Sequence, residues 1–428
     1  MNLLEFAEKK LAGFAADPLT EFRRQSLARA QSAGWPTTQM ESWKYTSVKS
    51  LRQMNFADQA DPVASDLATI DGSSKLESIP SSFLIPGSEL FVFVDGIFSE
   101  TLSKFSSALH FQPWSQTLTP DFHRESLFEK DFFKNMTACL LTGGGRLRIL
   151  PQQKIEMPIQ FLFIQATAGS VAAPWIEIQA GNHSQFHLIE SYFSMPDMGS
   201  EKPAVTLPHF QWVLSDFAKV DFSRLQNENS KSIHIGSCSV DLEAHTEFKS
   251  LIGQLGASLN RHDYVLNFRA TESFAQVNGF YHGSAQQHVD HHTSIRHHMG
   301  HCTSTQLYKG LMKDASRAVF NGHVFINQDA QKASSEQLNQ NLMLSRQAEV
   351  DSKPELEIYA DDVKASHGST IGQLSADELF YLTSRAIPKD TAVQMLSSGF
   401  LESLVFLLNA GPVQEWFLQH LRNKVQNA

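Results

Sequence analysis

Apolar residues recur at two different spacings along this chain. Leu3, Leu4, Phe6, Ala7, Leu11 and Phe14 fall at helix-like intervals. A second such run extends from Leu19 to Ala33 before Gly34-Trp35-Pro36 breaks it. From Ala57 to Gly87 Asp, Ser and Pro dominate, which reads as a linker or a loosely packed segment. Phe91-Val-Phe-Val-Asp-Gly-Ile-Phe98 then joins aromatic and β-branched residues to an Asp-Gly turn signal. Short strand-like runs continue at Arg146–Ile149, Ile159–Ile164, Trp175–Ile178, Phe186–Ile189 and Tyr264–Phe268. No proline occurs between Pro208 and Pro354, as extended hydrogen-bonded ladders require. No helical pattern alternates with these runs, so a doubly wound α/β fold is disfavoured. The pattern predicts a large β body. It does not separate a sandwich from a solenoid, and no clean repeat period is visible.

Helical spacing returns at the C-terminus. Ser375-Ala-Asp-Glu378 reads as a capping box opening a helix to about Ala386, and Pro388 interrupts it. Ala392, Met395, Leu396, Phe400, Leu404 and Leu408 then form an apolar stripe, ended by Gly411-Pro412. Val413 to Val425 gives a last amphipathic helix bearing Trp416. The stripe reads first as packing against the body, and second as a docking surface for a partner.

With 428 residues the chain is too long for one ordinary core. Residues 1–88 are expected to form a helical region and linker, 89–374 the β body, and 375–428 a helical C-terminal domain. Apolar residues make up 42%, and no run is long enough to span a bilayer. Glu5, Glu8, Lys9 and Lys10 stand where a secretory signal would need an apolar stretch, which points to the cytoplasm. A net charge of −10 without Lys/Arg clusters argues against binding nucleic acid. Three cysteines lie far apart with no C-x-x-C, so neither a disulfide framework nor a closed zinc site is indicated.

The densest information lies in Asp329–Ser345 and Lys353–Gly372. Polar groups so crowded cannot form an ordinary core strand unless nearly all are paired or solvated. Together with Glu41-Ser-Trp-Lys-Tyr-Thr46 and Glu378-Leu-Phe-Tyr-Leu-Thr-Ser-Arg-Ala-Ile387, these stretches resemble the SufB/SufD family, scaffold proteins of iron–sulfur cluster assembly. The resemblance runs from about Glu41 to Phe400 and is densest from Asn321 onward. Ser366-His-Gly368, in place of Glu-His-Glu, points to the SufD branch.

This resemblance implies a mainly β fold, a right-handed parallel β-helix core flanked by α-helical regions at both ends. It implies a scaffold without catalytic turnover that pairs with a SufB-like paralogue through β-helix edges. A SufC-like ABC ATPase would dock on the C-terminal helices, with Phe380, Tyr381 and Arg385 as candidate contacts. His367 is implicated in holding or building a nascent iron–sulfur cluster, or its iron, shared with the partner. The resemblance also admits a flavin, and a homodimer of the isolated chain. A SufB-type chain, or a stand-alone β-helix enzyme acting on polysaccharide or through a His-bound metal, are the alternatives.

The residues carry chemistry of their own. His367 lies beside Gly368, where a tight turn at a sheet end would expose a neutral imidazole competent to bind iron. His282, His288, His291, His292, His297, His298 and His301 cluster within twenty residues. Strand alternation puts His291, Thr293, Ile295 and His297 on one face and Asp290, His292, Ser294, Arg296 and His298 on the other. Metal binding by His291, His292 and His297 is one reading. Polar ladder residues on a solvated face or at a subunit contact is the preferred one, because no fixed ligand spacing occurs. Asp290-x-x-Thr293-x-x-x-His297 also resembles a family stretch placed at the partner contact.

Glu355, Glu357, Asp361 and Asp362 read as a solvated face or salt-bridge partners before they read as ligands for iron in transit. Gly143-Gly144-Gly145 lacks the rest of a phosphate-loop pattern, and no nucleotide-binding motif occurs, so any ATP would be hydrolysed elsewhere. Ala365 stands where many SufD chains have cysteine, and Asn339-Gln340-Asn341 where SufB-type chains have theirs. A stable cluster usually needs several thiolates, so the partner must supply sulfur ligands. Ala386 replaces a family glycine, which implies that this helix end needs no positive φ.

Overall fold

The computed structural model describes residues 1–13, 18–56, 79–115, 120, 131–196 and 202–427. Phe14, and residues 57–78 of the expected linker, lie outside the described residues.

The body begins where the sequence places its first turn. Asp95 and Gly96 both take positive φ, 49° and 86°, and join strands Glu89–Val94 and Ile97–Lys104 as a two-residue hairpin. Beyond it, except at the two ends, the strands pair in parallel with those one coil before and one coil after. Two sheets result among the described residues, one of ten strands and one of eleven. Successive coils visit the two sheets in turn, which makes the body a parallel β-helix. On the second sheet Gly236, His262, His291, Phe320 and Ser352 stack in register at intervals of 26, 29, 29 and 32 residues. That drift hides the repeat from the sequence.

Side-chain alternation divides each strand between lumen and exterior. In the first coils the lumen is filled by aromatic stacks. The ring centroids of Phe91 and Phe161, Phe93 and Phe163, and Phe163 and Tyr192 are each 4.7 Å apart. The outer face of the first sheet carries a second apolar layer that includes Leu162, Ile189, Leu225 and Phe280. Helices Lys389–Val405 and Pro412–Asn427 cover it with Leu401, Leu404, Trp416, Phe417 and Leu421. Helices Leu3–Ala12, Pro18–Ala33 and Phe132–Leu140 pack near the start of the body, the first under an Asn2–Glu5 capping box. No described helix is long and apolar enough to cross a membrane.

The two ends of the β-helix differ. At the start, both sheets end in antiparallel strands, and one of these is the four-residue His110–Pro113. At the finish, strands Glu349–Ile358 and Lys364–Gly372, of ten and nine residues, have a neighbour on one side and none described on the other. The proline-free interior ends at Pro354 on one of these edge strands, a place where a missing donor is tolerated. Gly143-Gly144-Gly145 forms part of strand Gly143–Ile149, not a phosphate loop. A Cβ at Gly144 would lie 1.8 Å from the Trp175 carbonyl oxygen, so the triplet serves close packing.

One expectation is overturned at the helix Ala376–Ser384. Ser375 Oγ accepts from Glu378 N at its start, as the pattern predicts. At its end Ala386 adopts φ 64°, and Ile387 N donates to Leu382 O at 3.3 Å, which is a Schellman closure. The family glycine is missing, yet the left-handed conformation it serves is kept, because the turn into Pro388 needs it. Ala386→Gly is therefore expected to raise unfolding free energy by about 1 kcal/mol, measured by urea unfolding. An unchanged midpoint would show that the alanine carries no strain.

Candidate functional site

The lumen changes character along its length. On the first sheet one inward row reads Phe222, Ser250, Val277, Gln306, Gln337 and His367 on successive coils. The neighbouring inward row runs through Tyr308, Asn339 and Ser369. Aromatic and aliphatic side chains thus give way to amides, hydroxyls and one imidazole as the body approaches its open end. Burial requires those polar groups to be paired, and most are. Tyr281 Oη donates to Asn341 Oδ1 at 2.6 Å, and Asn341 Nδ2 donates to Asn339 Oδ1 at 2.6 Å. Ser352 Oγ donates to the same oxygen at 2.8 Å, and Ser369 Oγ donates to Ser352 Oγ at 2.7 Å. The last of these bonds spans the mouth from one sheet to the other.

His367 sits in this mouth. It lies in the middle of strand Lys364–Gly372, not in the tight turn expected from Gly368. The strand's parity gives its direction. Ala365 packs on the lumen cluster and Ser369 bonds across the lumen, so His367 between them shares the inward face. It is nevertheless exposed, because no further coil among the described residues covers the last one. The mouth offers an imidazole and no thiol. Cys139, Cys238 and Cys302 are all buried elsewhere, and burial pushes the Cys139 thiol up to about 12.

Deeper in the lumen a charged group is fully enclosed. Arg224 Nε donates to Glu190 Oε1 at 3.0 Å, and Arg224 Nη2 lies 2.5 Å from His234 Nε2. His234 Nδ1 bonds Glu228 Oε2 at 2.6 Å. Arg224 can only donate, so His234 accepts at Nε2 and donates from Nδ1, which makes it neutral. Burial works against the Glu228 carboxylate, but His234, Gln226 and Thr206 outweigh it and hold its pKa below the usual range.

The histidine cluster divides as strand alternation predicts. His291 and His297 face the lumen and are fully buried, so they lie on no solvated face. His292 lies on the outer face, with Nε2 3.0 Å from Asp290 Oδ1. The three do not converge, and no group of three or more His, Cys, Asp or Glu arranged to hold a metal occurs among the described residues. Asp290 instead anchors the Glu41–Thr46 element. Thr46 Oγ1 donates to Asp290 Oδ2 at 2.5 Å, and Arg261 Nη1 donates to Ser42 O at 2.8 Å beneath the Trp43 ring. Burial opposes the Asp290 charge, yet His292 and Arg261 hold its pKa well below the carboxylate range. Glu41 reaches Lys353 on the last coil at 2.5 Å, and Lys353 also pairs with Glu355 at 2.9 Å. Glu357 pairs with His323, so two of the four carboxylates are salt-bridge partners.

On the C-terminal helices Phe380 is 72% exposed and Tyr381 58%, with the Arg385 guanidinium 5.1 Å from the Tyr381 ring. Met395, Phe406 and Leu407 are exposed as well, so the apolar stripe is shared between packing and surface. Gln306, Gln337, Tyr281 and the Arg224 group were not legible as site residues. Ser335, Gln337, Asn339 and Asn341 do alternate with period two, and that was the available signal for a polar lumen face.

The model of the family described as "SUF system FeS cluster assembly, SufBD core domain" matches residues 163–400. The chain is similar to an iron–sulfur cluster assembly SufBD family protein of Synechocystis sp., with 27% identity over 93% of this chain and 90% of that protein. It is likewise similar to the iron–sulfur cluster assembly protein SufD of Escherichia coli, 27% identical over 94% and 92% of the two chains. The SufD of Bacillus subtilis is 26% identical over 73% and 74%.

The buried histidines make stability depend on pH. Burial lowers His282 and His291 to about 3 and His297 to about 4, so all three stay neutral in the folded state. The unfolded chain protonates them below about 6.5 and then binds more protons than the folded chain, so their contribution falls as pH drops from there. At pH 5.5 each costs about 1.4 kcal/mol relative to neutral pH. His291→Phe, among Tyr281, Tyr308 and Phe320, is expected to shrink the loss between pH 7.5 and 5.5 by about that amount. Urea unfolding at the two pH values measures it, and an identical loss in both proteins would contradict the assignment.

Proposed function

The chain belongs to the SufB/SufD family of iron–sulfur cluster assembly proteins, and on that premise we propose that it is a scaffold subunit of the SUF assembly complex. In this reading it pairs with a SufB-like paralogue, binds a SufC-like ABC ATPase, and contributes His367 to a nascent cluster built between the two scaffolds. The observation that carries the reading is the last coil. Two long parallel strands end there without an outer neighbour among the described residues, and an inward imidazole stands in a mouth of amides and hydroxyls. Such an edge is a template for a strand of another chain. A coil added by the paralogue would cover the mouth and place its own ligands opposite His367.

The chemistry expected of each part follows from what it carries. A neutral imidazole ligates iron through one ring nitrogen. Cluster binding usually needs thiolates, which the paralogue would supply. Exposed Phe380 and Tyr381 fit the aromatic anchors that dominate protein contacts, and this supports docking of the ATPase there. Cycles of ATP binding in that partner would then act on the two scaffolds through the helix Ala376–Ser384 and the neighbouring helix Lys389–Val405, which packs on the first sheet.

His367→Ala is expected to leave folding intact and to lower the cluster formed by the three-protein complex about tenfold, read from its visible absorption after anaerobic reconstitution. An unchanged yield would remove His367 from the assembly site. Phe380→Glu should weaken ATPase binding roughly 30-fold in titration calorimetry. Deleting residues 376–428 is the coarser test, because it also strips Leu401, Trp416 and Phe417 from the sheet they cover. Wild-type affinity in Phe380→Glu would move the docking surface elsewhere.

A further inference from the structure

A second residue of the mouth is built to act on His367. Gln337 is buried, one coil below His367 in the same inward row, and their Cα atoms are register partners. Its amide nitrogen is committed. Nε2 donates to Gln306 Oε1 at 2.5 Å, and Gln306 Nε2 in turn donates to Thr293 Oγ1 at 2.7 Å. The same nitrogen lies over the bare Cα of Gly322, where a Cβ would come within 2.0 Å of it. The amide is thereby held in one orientation. Its oxygen is left buried, with no donor among the described residues.

Buried acceptors are seldom left unmatched, and the last coil, which lies directly above Gln337, is where a donor is sought. Ser369 spends its hydroxyl proton on Ser352, and Ala365 has none to give. His367, between them on the inward face, carries the remaining N–H. We propose that Gln337 is a positioning residue: its Oε1 accepts the Nδ1–H of His367 once the mouth is covered, and so leaves the Nε2 lone pair facing out toward iron. This rests on the reading of His367 given above.

The identity of the oxygen matters. A neutral imidazole has one N–H and one lone pair, and the bond made by one nitrogen decides what the other can do. An acceptor at Nδ1 frees Nε2 as a ligand. A donor there would consume the lone pair and leave a protonated nitrogen that cannot bind metal. Ligating histidines are commonly oriented in this way by a carbonyl or carboxylate behind them.

The tautomer is directly observable. In the full-length chain in complex with its SufB-like and SufC-like partners, the ring ¹⁵N shifts of His367 are identified by their loss in His367→Ala. The expected result is a predominant Nδ1–H form, the minor form of free imidazole. Gln337→Met, similar in length but without an acceptor, should return the ring toward the Nε2–H form and lower retained cluster about tenfold. Gln337→Glu restores an acceptor and should restore both. Gln306→Met loosens the column without removing the acceptor and should shift the ring form less than Gln337→Met does. Wild-type shifts in Gln337→Met, or an equal change in Gln306→Met, would overturn the proposal. If His367→Ala itself leaves the cluster yield unchanged, the underlying reading fails, whereas the ring shifts still report whether Gln337 holds the imidazole.

Discussion

Each coil of this β-helix completes the backbone hydrogen bonds of the coil before it, and that dependence shapes the rest of the molecule. A coil inside the stack has its strands paired on both sides and its inward side chains sealed by two neighbours. A terminal coil has neither. At the start of the body the problem is reduced by antiparallel strands, one short and ending in Pro113. At the finish nothing among the described residues does so, and the mouth is both an unpaired edge and an unsealed lumen. The polarity of Gln337, Asn339, Ser352, His367 and Ser369 fits that position. Side chains that meet water in one state and another chain in the next cannot be wholly apolar.

The same dependence explains what could be read from the residues and what could not. The Asp95-Gly96 hairpin, the proline-free interior and the division of His291 from His292 all follow from local rules, and the structure agrees with each. The coil spacing did not show, because turns of unequal length make the stacked residues 26 to 32 apart. Without that register, the period-two alternation of Ser335, Gln337, Asn339 and Asn341 does not by itself say what the polar face meets. Its bonds run to residues as distant as Tyr281, across a sheet that sequence order conceals. Ala386 misleads for a different reason: a missing glycine implies a backbone that needs no positive φ, whereas the Schellman turn keeps φ positive with alanine in place.

Buried charge sets a second constraint, well away from the mouth. Arg224, Glu190, Glu228 and neutral His234 form a linked buried set, costly to bury but costlier to break. On the exterior, Asp290 ties the Glu41–Thr46 element to the second sheet through Arg261 and Thr46, and Glu41 carries that element on to Lys353 of the last coil. The N-terminal region, the sheet and the open end are therefore connected by named polar contacts as well as by packing. A scaffold whose edge must stay in register for a partner has use for such bracing.

The central claim is that the last coil is finished by a second chain. Hydrogen exchange of the amides in Glu349–Ile358 and Lys364–Gly372, with and without the SufB-like paralogue, tests it most directly. The account predicts fast exchange along the outer edge of both strands in the isolated protein and strong protection in the complex. Protection already complete in isolation, or unchanged when the paralogue binds, would contradict it.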